Sequence, residues 1–118
     1  MPTFFISGHL SLTEAEFMQH YKPQIDEALA DPTSDFVVGD ASGADTLAQG
    51  YLFATGASVT VFHMFEAPRN NVGNYPTRGG FQSDEDRDSA MTESSDQDIA
   101  WVRPGRETSG TAKNLARR

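Results

Sequence analysis

The stretch Phe36–Phe53, FVVGDASGADTLAQGYLF, sets the architecture of the chain because it joins a strand, a tight turn and a helix without interruption. Its first three residues, FVV, are apolar and β-prone, which is typical of a strand covered on both faces in a parallel sheet. Residues 39–45, GDASGAD, form the turn, and a helix is predicted from about Ala44 to Thr55. Units of this kind build α/β folds.

The remainder of the chain alternates between strand and helix patterns in the same way. A capping box begins a first helix at Thr13, and Pro23 is predicted to kink that helix or to restart it. Residues 66–83, which are rich in Pro, Gly and Asn, are predicted to form a long irregular loop of a functional or mobile kind. The other predicted elements are strands at 3–6, 36–38, 59–64 and 99–102 and helices at 84–95 and 109–118.

This order of elements predicts one α/β domain over residues 1–118, a small Rossmann-like three-layer sandwich with a mostly parallel four-stranded sheet. Trp101 falls in the fourth predicted strand and is assigned to the core rather than to a surface that stacks on bases. Because so small a sheet leaves faces exposed, we expect a homo-oligomer, a dimer or larger.

The composition narrows the classes of partner. The chain has 118 residues, no cysteine and a net charge of −8, and an acidic body does not suit binding to bulk nucleic acid. It contains neither a long apolar stretch nor a basic-then-apolar leader, so we expect no membrane span, no secretion and a cytoplasmic location. The three histidines are scattered, with no metal-binding spacing, and no metal site is predicted.

The charges are unevenly distributed along the chain. Residues 84–98 carry seven acids around Arg87, whereas residues 103–118 carry five bases and one acid. A few clustered bases favour a small anion, such as the phosphate of a nucleotide, over duplex DNA. Two alternatives stay open: the acidic segment is a protein-interaction surface, or the net charge serves only solubility.

Ligands of open parallel sheets bind beyond the carboxyl ends of the strands. The segments that converge there are Ser7–His9, Gly39–Asp45, the loop after His63 and Arg103–Asn114. Most of them place glycine next to the start of a helix, where free backbone N–H groups attract anions. The sequence therefore predicts an anion-binding site at this edge of the sheet.

The turn GDASGAD has a structural explanation and a functional one. Ser42 is predicted to cap the helix, Asp45 to return a hydrogen bond to the cap, and Gly39 and Gly43 to allow a tight backbone. Asp40 is not explained in this way, since it places an acid at the end of the strand where the cleft opens. We therefore expect Asp40 to contact a ligand.

The last helix has the same two explanations. Ser109 caps it, and residues 109–111 also present amides and hydroxyls suited to a phosphate, with Arg103 or Arg106 closing over it. Arg78 and Arg87 are further candidates for contacting an anion, although Arg87, among so many acids, equally fits a surface ion pair.

The order and spacing of these motifs resemble the SLOG superfamily, most closely its YspA/YpsA-related Rossmann-like proteins and more distantly the LOG "lysine decarboxylase-like" phosphoribohydrolases. The motifs that carry the resemblance are ISGH, GDASGADTLAQGYL, RDSAM, DIAWVRPG and SGTAKNLARR, and they span nearly the whole chain. The resemblance implies a nucleotide or nucleotide-derived ligand at the carboxyl ends of the strands. Its glycine, GAD, Arg and GT positions fall on Gly8, Gly39, Gly43, Ala44, Asp45, Arg87, Gly110 and Thr111.

One departure from the family pattern bears on the reaction. The LOG hydrolases carry a catalytic Glu three residues after their Gly-Thr, and this chain has Asn114 there. An amide can orient a sugar hydroxyl but cannot act as a carboxylate in glycosidic cleavage. If cleavage occurs, Asp40, Asp45 or Glu107 must supply the carboxylate, and Asp40 is the first choice.

We therefore predict that the protein binds, or senses, a nucleotide or ADP-ribose-like ligand and needs no cofactor. The alternatives are a nucleoside-monophosphate N-glycosidase with Asp40 as the catalytic residue, and a protein-interaction module without a small ligand. The predicted ligand contacts are Ser7, Gly8, His9, Gly39, Asp40, Ser42, Gly43, Asp45, Arg78, Arg87, Ser109, Gly110, Thr111 and Asn114.

Overall fold

The computed structural model describes residues 2–118, which form five strands and five helices. The first half contains β1 (Thr3–Ile6), α1 (Glu14–His20), α2 (Lys22–Leu29), β2 (Asp35–Gly39) and α3 (Ala44–Phe53). The second half contains β3 (Ser58–Met64), β4 (Thr77–Phe81), α4 (Asp84–Glu93), β5 (Gln97–Ile99) and α5 (Gly110–Arg117).

The five strands form one sheet in the order β4-β3-β2-β1-β5, and every neighbouring pair is parallel. The chain builds outward from β1 through β2 to β3 and β4, and later returns to the other side of β1 to add β5. Phe5 lies opposite Val37 on one side and Asp98 on the other. The strand order therefore reverses at β1, and a crevice is expected outside the carboxyl ends of β1 and β5.

Both faces of the sheet are covered, as the alternation of side chains along a strand requires. The larger core packs one face against α1, α2 and α3 and includes Phe36 and Val38 of β2. The smaller core packs Phe5, Val37 and Phe62 against Met91 of α4 on the opposite face. The predicted three-layer α/β sandwich is confirmed, with one strand more than the four predicted.

The first helical segment is divided as the sequence indicates. Thr13 and Glu16 form the capping box at the start of α1, with both reciprocal hydrogen bonds present. A second helix begins at Lys22 with Pro23 in its first turn. The proline fits there because its missing N–H is one that a helix start leaves unpaired.

The additional strand, β4, lies in residues 66–83, which were predicted to be irregular. Its sequence, TRGGF, has no apolar alternation and four of its five residues are exposed, so no local pattern indicates a strand. β4 forms because β3 offers an open edge, and the segment 65–76 makes the crossover without a helix. Gln49 of α3 holds that segment by accepting from Val72 N–H at 2.8 Å and donating to the Asn70 carbonyl at 3.2 Å.

The last strand is placed earlier in the chain than predicted. β5 covers Gln97–Ile99, whereas the apolar run 99–102 was predicted as the strand. Trp101 lies beyond the strand, half-buried, with its ring stacked on that of His20 at 3.9 Å between centroids. Its indole packs against the larger core from the rim. Within residues 2–118 no helix has the length and apolar character needed to cross a bilayer.

Candidate functional site

A cavity of about 260 Å³ opens at the carboxyl end of β1, on the side where α4 and α5 cover the sheet. Its walls come from the loop after β1, the start of α3, the inner side of α4 and the N-terminal turn of α5. The strand order reverses at this point, which is where open α/β sheets bind ligands. Most of the segments predicted to converge therefore do meet.

Two larger concavities lie elsewhere. One of about 380 Å³ lies between α1 and α3 and is lined mainly by apolar groups such as Phe17, Leu47 and Tyr51. Another, of about 340 Å³, lies around Pro2 and Phe4 near the opposite ends of the strands. Neither lies at the strand carboxyl ends, so the smaller cavity is the candidate site because of its chemistry rather than its size.

The loop after β1 places Ser7 and Gly8 in the wall of the cavity. A Cβ atom on Gly8 would lie 2.3 Å from the Tyr21 hydroxyl and 2.4 Å from Ala44 Cβ, so only glycine fits this crossing. The Tyr21 hydroxyl donates to the Ser7 carbonyl at 2.7 Å. Ser7 is 6% exposed, and its Oγ has no hydrogen-bond partner among the described residues.

His9 is the next residue of this loop to line the cavity. The backbone N–H of Arg103 donates to its Nε2 at 2.8 Å, so the neutral ring carries its proton on Nδ1. Burial lowers the pKa of His9, and the charges of Arg103 and Arg106 lower it further. The ring is therefore neutral near pH 7, with an N–H that no described residue accepts.

The start of α3 differs from its prediction. Gly43, not Ser42, is the N-cap, and no side chain caps this helix. Gly43 has φ +73°, and a Cβ there would lie 2.3 Å from the Leu10 carbonyl oxygen. Asp45 Oδ2 accepts from Ala41 N–H at 3.1 Å rather than from Ser42. The capping box predicted for GDASGAD is therefore wrong, because the approach of residues 9–10 leaves room only for glycine at the cap.

Asp45 is one of three carboxyls that line the cavity, and the other two, Asp84 and Asp88, pair with Arg87. It is 7% exposed, and the bond from Ala41 is its one hydrogen bond within the described chain. Burial raises its pKa to about 7, opposed mainly by the charge of Arg87. Near neutral pH this group is therefore divided between its acid and carboxylate forms.

Asp40 has a different position from the one predicted. It is 1% exposed and lies behind the wall of the cavity rather than in it. Arg69 donates to it from its backbone N–H at 2.8 Å and from its guanidinium at 2.9 and 3.2 Å, and Arg87 donates at 2.9 Å. Burial raises the pKa of Asp40, but these bonds and charges outweigh it and the pKa is lowered. Asp40 is thus an ionised anchor for two arginines.

Arg87 lines the cavity and is buried, so the alternative of a surface ion pair is wrong for this residue. It contacts Asp40 at 2.9 Å, Asp88 at 3.0 Å and Asp84 at 3.3 Å. The acids of α4 therefore serve partly to balance arginines at the site. Arg69 also reaches Asp84, at 3.4 Å, and no local pattern in residues 66–83 singled it out.

The N-terminal turn of α5 closes the cavity. Ser109 caps the helix, as predicted, by accepting from Ala112 N–H at 3.2 Å. The N–H groups of Gly110 and Thr111 belong to the turn that has no intrahelical acceptor, and Thr111 is 5% exposed. Asn114 lines the cavity, but it already donates to Asp88 at 3.2 Å and accepts from Arg117.

The predicted ligand contacts thus divide into two groups. Arg78 lies away from the cavity, with its guanidinium 5.1 Å from the ring centre of Phe62 and a hydrogen bond to Ser94. The predicted contacts that line the cavity are Ser7, Gly8, His9, Asp45, Arg87, Ser109, Gly110, Thr111 and Asn114, and those that do not are Gly39, Asp40, Ser42, Gly43 and Arg78. Arg69 lines the cavity without having been predicted, and of the two arginines predicted to close over a phosphate, Arg106 lines the cavity and Arg103 does not.

Within residues 2–118 no three His, Asp or Glu side chains are grouped so as to hold a metal ion. Comparison of the chain with models of protein families, with curated proteins and with solved structures found no match. A function for the cavity has to be inferred from its own atoms.

Proposed function

We propose that the cavity binds a small molecule that carries a phosphate group, of the class of nucleotides and nucleotide-derived compounds. One observation carries the proposal: Ser7, whose buried hydroxyl has no partner among the described residues, lines the same cavity as the open N-terminus of α5. Buried polar atoms nearly always have a hydrogen-bond partner. A ligand atom in the cavity would supply the missing one.

The donors around the cavity suit an anion. The free N–H groups of Gly110 and Thr111 and the positive end of the helix dipole favour a phosphate at the start of α5. His9 adds a neutral N–H, held in place through Arg103. Among the described residues Arg106 forms no ion pair and lines the cavity, so its charge is available to the ligand.

The test is calorimetric titration of the purified protein with AMP, ADP, ADP-ribose and inorganic phosphate. We expect binding that Thr111→Arg abolishes, because the longer side chain fills the turn that would hold the phosphate. Thr77→Arg is the matched control: Thr77 is exposed on β4, away from the cavity, and the substitution adds the same charge. No binding by the wild type, or equal loss in both variants, would contradict the proposal.

Hydrolysis of the bound ligand is the second candidate function, and the position of Asp45 favours it. N-glycosidic cleavage needs a carboxyl that can protonate the leaving group or assist water. Asp45 lines the cavity, and its pKa of about 7 suits a general acid or base at neutral pH. Asp40 suits that role less well, because both its oxygens are held by arginines.

Incubation with nucleoside monophosphates and chromatography of the products tests this second candidate. We expect release of free base that Asp45→Asn abolishes while nucleotide binding is weakened but not lost. Glu107→Gln, at an exposed position outside the cavity wall, is the control that keeps its activity. If the wild type releases no free base from the monophosphates of any of the common nucleosides, this reaction is excluded and binding is left as the function.

A further inference from the structure

Among the carboxyls that line the cavity, that of Asp45 is the one that forms no ion pair within the described residues. The carboxylates of Asp40, Asp84 and Asp88 all accept from Arg69 or Arg87. Asp45 forms no ion pair within 4 Å among the described residues, and only its Oδ2 accepts a hydrogen bond. Its Oδ1 therefore has acceptor capacity left, at a position that lines the cavity.

The sheet separates Asp45 from the phosphate end of the cavity. Asp45 belongs to the helix that follows β2, and the N-terminal turn of α5 follows β5, with β1 between these two strands. Neighbouring strands lie about 4.8 Å apart, so the two ends of the cavity are carried by strands roughly 10 Å apart. A ligand that reaches both ends must carry a polar group at some distance from its phosphate.

We propose that Asp45 determines specificity by accepting a hydrogen bond from a hydroxyl group of a ligand whose phosphate lies at the start of α5. This inference rests on the proposed function. It adds the chemical class of the part of the ligand that lies inside the cavity, which is a phosphorylated polyol such as the sugar phosphate of a nucleotide. The volume supports a compact group, since 260 Å³ is at the lower limit of small-molecule sites. A base or second phosphate extends through the opening.

The charged and titratable groups around Asp45 determine how the contact depends on pH. Arg87 favours the ionised form, and Asp88 and Asp40 oppose it. Burial raises the pKa of Tyr21, on the other side, and this hydroxyl stays neutral. The pKa of His9 is lowered from 6.5, so this ring does not gain charge above that pH. Between pH 6 and pH 8 the Asp45 carboxyl thus changes from mostly protonated to mostly ionised.

The test compares two phosphate monoesters, ribose 5-phosphate and ethyl phosphate. Both carry the same phosphate group, so its titration cancels in the ratio of their dissociation constants. At pH 8 we expect ribose 5-phosphate to bind at least about tenfold more tightly than ethyl phosphate, because a hydrogen bond to a carboxylate contributes an affinity difference of that size. The ratio should fall by up to about tenfold at pH 6, where most of the Asp45 carboxyl is protonated.

Asp45→Asn should abolish both the preference for ribose 5-phosphate and its pH dependence, while ethyl phosphate binds as it does to the wild type. A variant that keeps the preference, or a wild type without one, overturns this inference and leaves the proposed function intact. If neither ester binds the wild type, this inference is overturned, and the titration with AMP, ADP and ADP-ribose decides the proposed function separately. Should the variant fail to fold, the pH dependence of the wild-type ratio decides: a constant ratio overturns the inference.

Discussion

At the scale of single residues, Asp45 is a group whose burial works against the fold. Its pKa rises from 3.8 in the unfolded chain to about 7, mainly through burial. Between about pH 4 and pH 7 the folded state therefore binds more protons than the unfolded state. The contribution of this carboxyl to the free energy of unfolding therefore falls as the pH rises through that window, and it is constant at higher pH.

Asp45→Asn should consequently stabilise the protein at high pH. Asparagine keeps the shape and the acceptor for Ala41 N–H but carries no charge. At pH 8 we expect the variant to unfold with a free energy about 1–3 kcal/mol higher than that of the wild type, with a much smaller gain at pH 4. Urea denaturation followed by circular dichroism at both pH values measures this. A variant less stable than the wild type at pH 8 would show that the fold uses the charge.

Asp40→Asn should have the opposite effect. The substitution removes the most buried of the three counter-charges of the Arg87 guanidinium, whose side chain is 8% exposed. We expect the free energy of unfolding to fall by about 3 kcal/mol at pH 7. Asp26→Asn is the control, since Asp26 pairs with Lys22 at the surface and both side chains are about 40% exposed. Equal losses in the two variants would contradict the anchoring role of Asp40.

At the scale of elements, the start of α3 is shaped by a neighbouring loop rather than by a capping side chain. Gly43 adopts φ +73° directly beneath the carbonyl groups of His9 and Leu10, and Ala44 N–H donates to the His9 carbonyl at 3.2 Å. The loop after β1 and the helix after β2 are therefore joined through the backbone. This contact holds Ser7 and Asp45 in the wall of one cavity.

Gly43→Ala tests this contact, with Gly56→Ala as its matched control. Both glycines have a φ near +70°, but a Cβ at Gly56 meets no atom within 4 Å, whereas one at Gly43 lies 2.3 Å from a carbonyl oxygen. We expect Gly56→Ala to lower the free energy of unfolding by about 1 kcal/mol, from backbone strain alone. Gly43→Ala should lower it by roughly 3 kcal/mol or more. Similar losses, measured by thermal and urea denaturation, would mean that the two backbones separate easily.

At the scale of the whole molecule, the arginines of the site sit in a strongly acidic protein. The chain carries a net charge of −8, and among the described residues most of its acids form no ion pair with an arginine. Repulsion among these exposed acids weakens the compact state at low salt. The pairs of Asp40 are buried and are screened far less. The homo-oligomer expected from the small sheet stays a prediction.

Salt should therefore stabilise the protein. Between 0.01 and 0.15 M NaCl the screening length falls from about 30 Å to about 8 Å, and we expect the free energy of unfolding to rise on the order of 1 kcal/mol. The double variant Glu27→Gln/Glu93→Gln removes two exposed acids and should show a smaller rise. Thermal denaturation at both salt concentrations measures the effect, and an unfolding temperature that falls with salt would contradict it.

Much of the fold could be predicted because its signals are local. FVV followed by GDASGAD specifies β2, the turn and α3, and the capping box at Thr13, the cap at Ser109 and Pro23 place three other helix starts to within a few residues. β4 and β5 could not be predicted from local patterns. TRGGF becomes a strand because the edge of β3 is open, and Gln97–Ile99 are selected by their register against Phe4–Ile6 rather than by the apolar run that follows.

The residue types of the site, and the edge of the sheet where it lies, follow from the sequence alone, because strand ends and helix starts converge in any parallel α/β sheet. The roles of the two acids in GDASGAD do not. Arg69 and Arg87 reach Asp40 across 29 and 47 residues of chain, and Asp45 remains as the carboxyl of the cavity wall that forms no ion pair. Whether a buried acid is an ionised anchor or a free acceptor depends on the charges that packing brings beside it, and those come from distant parts of the chain.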